Sequence, residues 1–99
     1  MEIKIQTIHF EATEKLQDYI QKKVGKLEKF DNEIRKVEVS LKVVKPETAM
    51  NKEATLSVAL AGSTLFANKV ADTFEEAIDN CCETLTRQLT KHKEKHQNR

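Results

Sequence analysis

Residues 36–70 read KVEVSLKVVKPETAMNKEATLSVALAGSTLFANKV, and apolar side chains alternate with polar ones along most of this stretch. Val37, Val39 and Leu41 alternate with charged or hydroxyl residues, which is typical of a strand that buries only one face. The same period of two returns in residues 54–60, ATLSVAL. The pattern therefore predicts two strands that each have one wet face.

Turn residues divide this stretch from its neighbours. Ala61-Gly62-Ser63 predicts a hairpin turn into a further antiparallel strand over residues 64–70. Lys45-Pro46-Glu47-Thr48 predicts the start of a loop, because proline cannot donate to a ladder of hydrogen bonds. Upstream, the alternation in residues 2–9 predicts the first strand. Four strands follow from these signals.

Apolar residues spaced by three and four predict a first helix after this strand. Thr13 offers its hydroxyl as the N-cap, and Asp31-Asn32 ends a single helix of about five turns. The predicted apolar stripe of this helix consists of Leu16, Tyr19, Ile20, Val24, Leu27 and Phe30.

A second helix closes the chain and runs to about Lys95. Asp72 is predicted as its N-cap, with Glu75 completing a capping box. The predicted apolar stripe of this helix consists of Phe74, Ala77, Ile78, Cys81, Leu85 and Leu89.

These elements predict an α+β fold with the order β-α-β-β-β-α. A right-handed crossover makes the first two strands parallel, and both helices pack on one face of a four-stranded sheet. The other face of the sheet is predicted to be wet. We expect one domain over residues 1–95, followed by a short basic tail at residues 96–99.

Composition narrows the classes of function. The 99 residues contain 17 Lys or Arg and 16 Asp or Glu, which excludes a uniformly basic polynucleotide binder and leaves only a local patch for a polyanion. The N-terminus has no pattern of a signal peptide, and no stretch is long and apolar enough to span a membrane. Cys81 and Cys82 are adjacent and enclose no loop, so we expect free thiols in a reducing cytoplasm.

Basic residues are nevertheless concentrated on the two predicted helices. At about 100° per residue, the first helix gathers Lys15, Lys22, Lys26 and Lys29 within about 60° of its circumference. Lys23 is nearer the apolar stripe, so its stem is expected to lie along the partner helix.

The second helix is divided along its length. Residues 72–86 contain five carboxylates and no basic residue, whereas residues 87–99 contain five basic residues against Glu94 alone. Acidic residues near the N-terminus of a helix and basic residues near its C-terminus are stabilised by the helix dipole, so this division of charge also has a purely structural explanation. If the helices pack side by side, however, the basic rows of the two helices could form one ridge that matches the phosphates of a folded RNA.

Four runs of residues resemble the family of ribosome hibernation-promoting factors, also called ribosome-associated inhibitors. These are residues 26–30 (KLEKF), 37–42 (VEVSLK), 77–79 (AID) and 85–95 (LTRQLTKHKEK). The last run is the most specific of the four. The similarity extends over nearly the whole chain, which looks like a short form of the family without a second domain.

The resemblance implies a fold similar to that of a double-stranded RNA-binding domain. It also implies binding to the small ribosomal subunit and its rRNA in the 70S ribosome. The site would be the decoding channel, over the mRNA path and the A and P positions, where the protein would block translation and preserve idle ribosomes. Some short forms pair ribosomes together with a separate modulation factor. The RNA-binding residues carried over by position are Lys22, Lys23, Lys26, Lys29, Arg87, Lys91, Lys93 and Lys95. Lys42 and Lys45 are weaker candidates.

Three other functions compete with RNA binding: catalysis, metal binding and protein binding. No spacing of nucleophile, base and acid indicates an enzyme, and no small-molecule substrate or cofactor is expected. His92 and His96 share a helical face, but two ligands do not make a zinc site. The uncovered sheet face offers a different function, that of a protein-binding regulatory module without RNA contact.

Overall fold

The structure is a computed structural model that describes residues 1–45 and 49–97, with the side chains of residues 93–97 excepted. It confirms the predicted order of elements. In chain order these are β1 (Glu2–Ile8), α1 (Glu14–Gly25), a 3₁₀ segment (Lys26–Lys29), β2 (Lys36–Val43), β3 (Lys52–Leu60), β4 (Ser63–Ala71) and α2 (Phe74–Gln97).

The four strands form one sheet in the order β1-β2-β3-β4. β1 pairs with β2 in parallel, with Ile3 opposite Val37 and Ile5 opposite Val39. The β2–β3 and β3–β4 pairs are antiparallel. The parallel pair is possible because α1 carries the chain back along the sheet between its two strands. The predicted topology is therefore confirmed.

Both helices cover the same face of the sheet. α1 contacts β1, α2 contacts β3 and β4, and the two helices contact each other. Alternate residues of the central strands, such as Val39 and Leu56, are buried beneath them. Ile20 of α1 and Ile78 of α2 are fully buried on the helical side. Each such side chain contributes roughly 1.5–3 kcal/mol by leaving water, and this two-layer core holds the helices in place.

The first helix differs from the prediction of one continuous α-helix of about five turns. α1 ends at Gly25, and the next four residues form the 3₁₀ segment. The Lys26 N–H donates to the Lys23 carbonyl, which tightens the chain after a glycine that favours the α-helix weakly. Asp31 stops the segment as predicted, because its carboxylate accepts a hydrogen bond from the Glu33 N–H at 2.8 Å.

The capping residue of α2 was also predicted incorrectly. Thr73, rather than Asp72, is the N-cap, since its hydroxyl accepts the Glu76 N–H at 3.1 Å. The Asp72 carboxylate accepts the Met50 N–H at 2.7 Å instead. Asp72 therefore holds the segment before β3. For α1, the predicted cap is confirmed, with the Thr13 hydroxyl 3.1 Å from the Leu16 nitrogen.

Two predicted boundary features have different outcomes. The hairpin turn is confirmed, with Leu60 paired to Ser63 and Gly62 at a φ of +76°. Residues 46–48 of the predicted proline loop lie outside the described residues, as do residues 98 and 99 of the predicted tail. Residues 96 and 97 of that tail are part of α2. None of the described helices is apolar over a length that could cross a membrane.

Candidate RNA-binding surface

The outward side of α1 and the 3₁₀ segment carries exposed lysines. Lys22, Lys26 and Lys29 are all exposed, and no described carboxylate forms an ion pair with them. Lys26 and Lys29 are three residues apart in the 3₁₀ segment, where residues at that spacing eclipse each other. The change of helix type therefore keeps these two lysines on one side. Their positive charges are available to a polyanion.

Lys23 differs from its neighbours because it is engaged within the protein. Its Nζ lies 3.5 Å from Oδ1 of Asp79 on α2 and 5.7 Å from the centre of the Tyr19 ring. The Tyr19 hydroxyl donates to the same Asp79 oxygen at 2.7 Å. Desolvation, followed by the hydrogen bond to Asp79, raises the pKa of Tyr19 to about 12. The predicted packing of Lys23 along the partner helix is confirmed.

We call Tyr19, Lys23 and Asp79 the interhelical clamp. A charge-assisted hydrogen bond is roughly twice as strong as a neutral one, so the clamp ties α1 to α2 at a defined position. Asp79 also marks the side of α2 that faces α1. From this reference the positions of the other α2 residues follow at about 100° per residue.

Arg87 and Lys91 are exposed on α2, and no described carboxylate forms an ion pair with either of them. They lie roughly 80° and 120° around the helix from Asp79. Gln88 lies on the side opposite Asp79, and its amide donates to the Phe66 carbonyl of β4 at 3.2 Å. The basic row of α2 is therefore turned from α1 towards β4.

The two basic rows thus share the helical layer without forming one continuous row. Thr86 and Thr90 lie on the α1-facing side of α2, and their hydroxyls donate to carbonyls one turn back, at 2.8 and 2.9 Å. The structure brings the helices together, as the prediction required, but it leaves the outer surface of α2 between the rows. Lys93 and Lys95 are part of α2, and their side chains lie outside the described residues.

The uncovered sheet face has balanced charge. Lys36 lies 3.1 Å from a Glu38 oxygen and 4.0 Å from a Glu2 oxygen. Lys42, one of the weaker candidates, is on this face in register with Glu53, away from both helices. The other, Lys45, comes after β2 in the connection to β3. The predicted wet face is confirmed, and its neutrality makes it a poorer surface for a polyanion than the helical layer.

One cation beside the α2 row was missed from the sequence. Lys69 is exposed on β4 in register with the buried Ala54, so it belongs to the strand's helix-facing row. The sequence did contain a signal for Lys69, because it lies in the apolar row of the alternating strand. A lysine in such a row extends its charged end to the surface at the edge of the core.

Burial disfavours the reactive thiolate form of both cysteines. The Cys81 thiol is fully buried and donates to the Ala54 carbonyl at 3.4 Å. Desolvation raises the pKa of Cys81 to about 12 and that of Cys82 to about 11. Both thiols are free and stay protonated at neutral pH, where a protonated thiol is a weak nucleophile. The described residues contain no cluster of three or more potential metal ligands.

Sequence comparison finds relatives over the whole fold. The profile of a family described as sigma 54 modulation protein / S30EA ribosomal protein matches residues 3–97. A ribosome hibernation promoting factor of Pseudomonas putida is 37% identical over 97 residues, which is 98% of this chain and 91% of that protein. One from Escherichia coli is 37% identical over 95 residues, covering 96% of each chain.

Solved structures share the fold at lower sequence identity. A ribosomal subunit interface protein from Coxiella burnetii aligns with a TM-score of 0.84 and 24% identity, covering 94% of this chain and 98% of that one. The N-terminal domain of Protein Y from Thermus thermophilus aligns with a TM-score of 0.79 and 24% identity, covering 93% of this chain and 99% of that one.

Proposed function

The chain belongs to the family of ribosome hibernation promoting factors, and on this premise we propose that it silences ribosomes by binding the decoding channel of the small subunit. The bound protein covers the mRNA path and the A and P positions. It blocks initiation and preserves idle 70S ribosomes. This role places it in the cytoplasm and requires no chemical step.

The observation that carries this proposal is the set of unpaired cations on the helical layer. Lys22, Lys26 and Lys29 on one helix, and Arg87 and Lys91 on the other, are exposed and free of ion pairs with the described carboxylates. Phosphate contacts supply most of the affinity of proteins for structured nucleic acid. These five cations, with Lys93 and Lys95, are the proposed rRNA contacts.

The two-layer fold explains how so short a chain occupies a channel. α2 has 24 residues, so it is about 36 Å long at 1.5 Å per residue. The clamp fixes α1 beside it, and the core fixes both helices on the sheet. A prealigned basic surface binds without the entropic cost of ordering. Steric exclusion of mRNA and tRNA is then the mechanism.

The first test reverses charge on the proposed surface. Lys22→Glu with Lys26→Glu should weaken binding to purified small subunits at least tenfold and relieve inhibition of initiation, with an unchanged circular dichroism spectrum. Lys4→Glu with Lys42→Glu is the matched control, because it changes the net charge equally on the uncovered sheet face. Equal loss in the two double variants would contradict the proposed surface.

The protein-binding module remains the alternative, and one observation favours it. Phe66 is 62% exposed on the uncovered face, where an aromatic side chain without cover is a common anchor for a partner. The same pair of variants separates the two functions. Loss of ribosome binding in the control variant alone would favour the sheet face.

A further inference from the structure

Lys69 lies at the junction of β4 with α2. The helix-facing row of β4 contains Ala67 and Ala71, which are buried, whereas Lys69 between them is exposed. Its positive charge acts on the Cys81 thiol of α2, where it partly opposes the rise in the pKa of that thiol. The side chain therefore runs from the strand along α2 to the surface, as long cationic side chains do at the border of an apolar layer.

A small open notch adjoins Lys69. It has a volume of about 160 Å³, and its walls come from β4 on one side and α2 on the other. Asn80, Thr84 and Arg87 line it from one face of the helix, at spacings of four and three residues, together with Glu83. Pockets for drug-sized ligands measure roughly 300–1,000 Å³, so this notch accommodates a chemical group rather than a whole small molecule.

The lining of the notch suits an anion. Lys69 provides a cation on the β4 wall, and Arg87 provides one on the α2 wall. The Asn80 amide and the Thr84 hydroxyl are further hydrogen-bond donors in the lining. Neither Lys69 nor Arg87 forms an ion pair with a described carboxylate, Glu83 included. Arginine binds phosphate through a planar fork of donors, and lysine binds it as a point charge. Among the described lining residues, Glu83 is the one opposing charge, and a single carboxylate offsets only part of the charge of Lys69 and Arg87.

The position of the notch connects it to the basic row of α2. Arg87 belongs to that row, which is turned towards β4 rather than towards α1. A phosphate backbone that follows Lys91 and Arg87 along α2 therefore reaches Lys69 next.

We propose that Lys69 and Arg87 hold one backbone phosphate of RNA in this notch, which extends the RNA-binding surface from α2 onto the edge strand. This inference rests on the proposed function and adds a contact that is not among the sequence-predicted RNA-binding residues. Thr84 and Asn80 donate to the same phosphate, and Lys69 sets how far the bound RNA wraps around the outer side of α2.

The test compares single charge removals in the full chain. Lys69→Gln should weaken binding to purified small subunits about three- to tenfold and make the slope of log affinity against log salt shallower, by less than the roughly 0.7–0.9 that one whole phosphate contributes, because Arg87 still contacts the same phosphate. Lys4→Gln, on the uncovered face, removes the same charge and should change neither value. Glu83→Gln should raise the affinity, because it removes the opposing carboxylate. Equal effects of Lys69→Gln and Lys4→Gln would overturn the notch and leave the proposed function standing.

A second measurement does not depend on the ribosome. Titration of the labelled protein with a short A-form RNA duplex should shift the amide resonances of Lys69, Thr84 and Arg87 in nuclear magnetic resonance spectra, and Lys69→Gln should remove those shifts. A polyglutamate peptide that gives the same shifts at the same concentration would overturn the assignment to phosphate. If the unaltered protein does not bind small subunits, the proposed function is rejected. The duplex titration would still show whether the notch binds an RNA phosphate.

Discussion

Lys22 and Lys23 are adjacent in the sequence but have different surroundings. Lys22 is exposed and free of ion pairs with the described carboxylates, whereas Lys23 pairs with Asp79 and lies over the Tyr19 ring. One step of about 100° around α1 accounts for the difference, because it turns Lys23 towards α2. The resemblance implied an RNA contact for both residues. The structure assigns Lys23 to the interhelical clamp, so its loss would act on helix packing as well as on charge.

The buried thiols predict how stability depends on pH. The folded protein raises the pKa of Cys81 from 9.0 to about 12 and that of Cys82 to about 11. The folded state therefore keeps its thiol protons to higher pH than the unfolded state does. The two thiols contribute their full stabilisation below pH 9, and this contribution should be lost progressively as the pH rises from 9 through the folded pKa values of about 11 and 12, because the unfolded thiols ionise first.

Urea denaturation at pH 7, 9 and 10.5 measures this loss. The Cys81→Ala and Cys82→Ala double variant is the control, and its stability should decline less over the same interval while its inhibition of translation is unchanged. A decline as steep as that of the unaltered protein would assign the pH dependence to other groups.

The two glycines, one at the end of α1 and one in the hairpin turn, differ in backbone conformation. Gly25 has helical angles, with a φ of −58°, and a β-carbon placed there would meet no atom within 4 Å. Gly62 has a φ of +76°, which an L side chain rarely adopts. The same substitution should therefore have opposite effects at the two positions.

Gly25→Ala should stabilise the protein by about 0.5–1 kcal/mol, because it restricts the unfolded chain and favours the helix. Gly62→Ala should destabilise it by about 1–2 kcal/mol through strain in the hairpin turn. Thermal unfolding of the two variants measures both effects. A loss of stability in Gly25→Ala would indicate that the transition from α1 to the 3₁₀ segment needs the glycine itself.

At the scale of the whole molecule, near-neutral charge is separated between two faces. On the uncovered sheet face, Lys36 pairs with Glu2 and Glu38, whereas the described rRNA contacts proposed on the helical layer form no ion pair with a described carboxylate. Binding to RNA should therefore be strongly salt-dependent despite a net charge of +1. If each of the rRNA contacts proposed above neutralises one phosphate, log affinity should fall against log salt with a slope of about −5 to −6.

Fluorescence binding to small subunits at several salt concentrations provides this slope. The Lys22→Glu and Lys26→Glu double variant should have a slope shallower by about 1.4–1.8. Affinity that hardly changes with salt would be incompatible with phosphate contacts and would favour binding through Phe66 on the sheet face.

Local patterns determined most of the architecture. Alternation of period two in β2 and β3 specified which side chains are buried, and apolar spacing of three and four specified the inward faces of α1 and α2. Phe30 is the exception in the predicted stripe of the first helix, because it follows the 3₁₀ segment and is 41% exposed. These patterns suffice because a strand or helix with one apolar face has few ways to bury it. The N-cap of α2 did not follow from the local pattern, because Asp72 and Thr73 are both good caps; in the structure Thr73 caps the helix, and Asp72 accepts the Met50 N–H.

The sequence by itself determined the order of elements, the core and the presence of two basic rows, because each depends on residues close together in the chain. Only the tertiary structure decided which cations are available to a ligand. Asp79 reaches Lys23 across 56 residues of sequence, and Lys69 and Arg87 line one notch between a strand and a helix. Such contacts depend on the rotation of one packed element against another, which no local period of residues specifies.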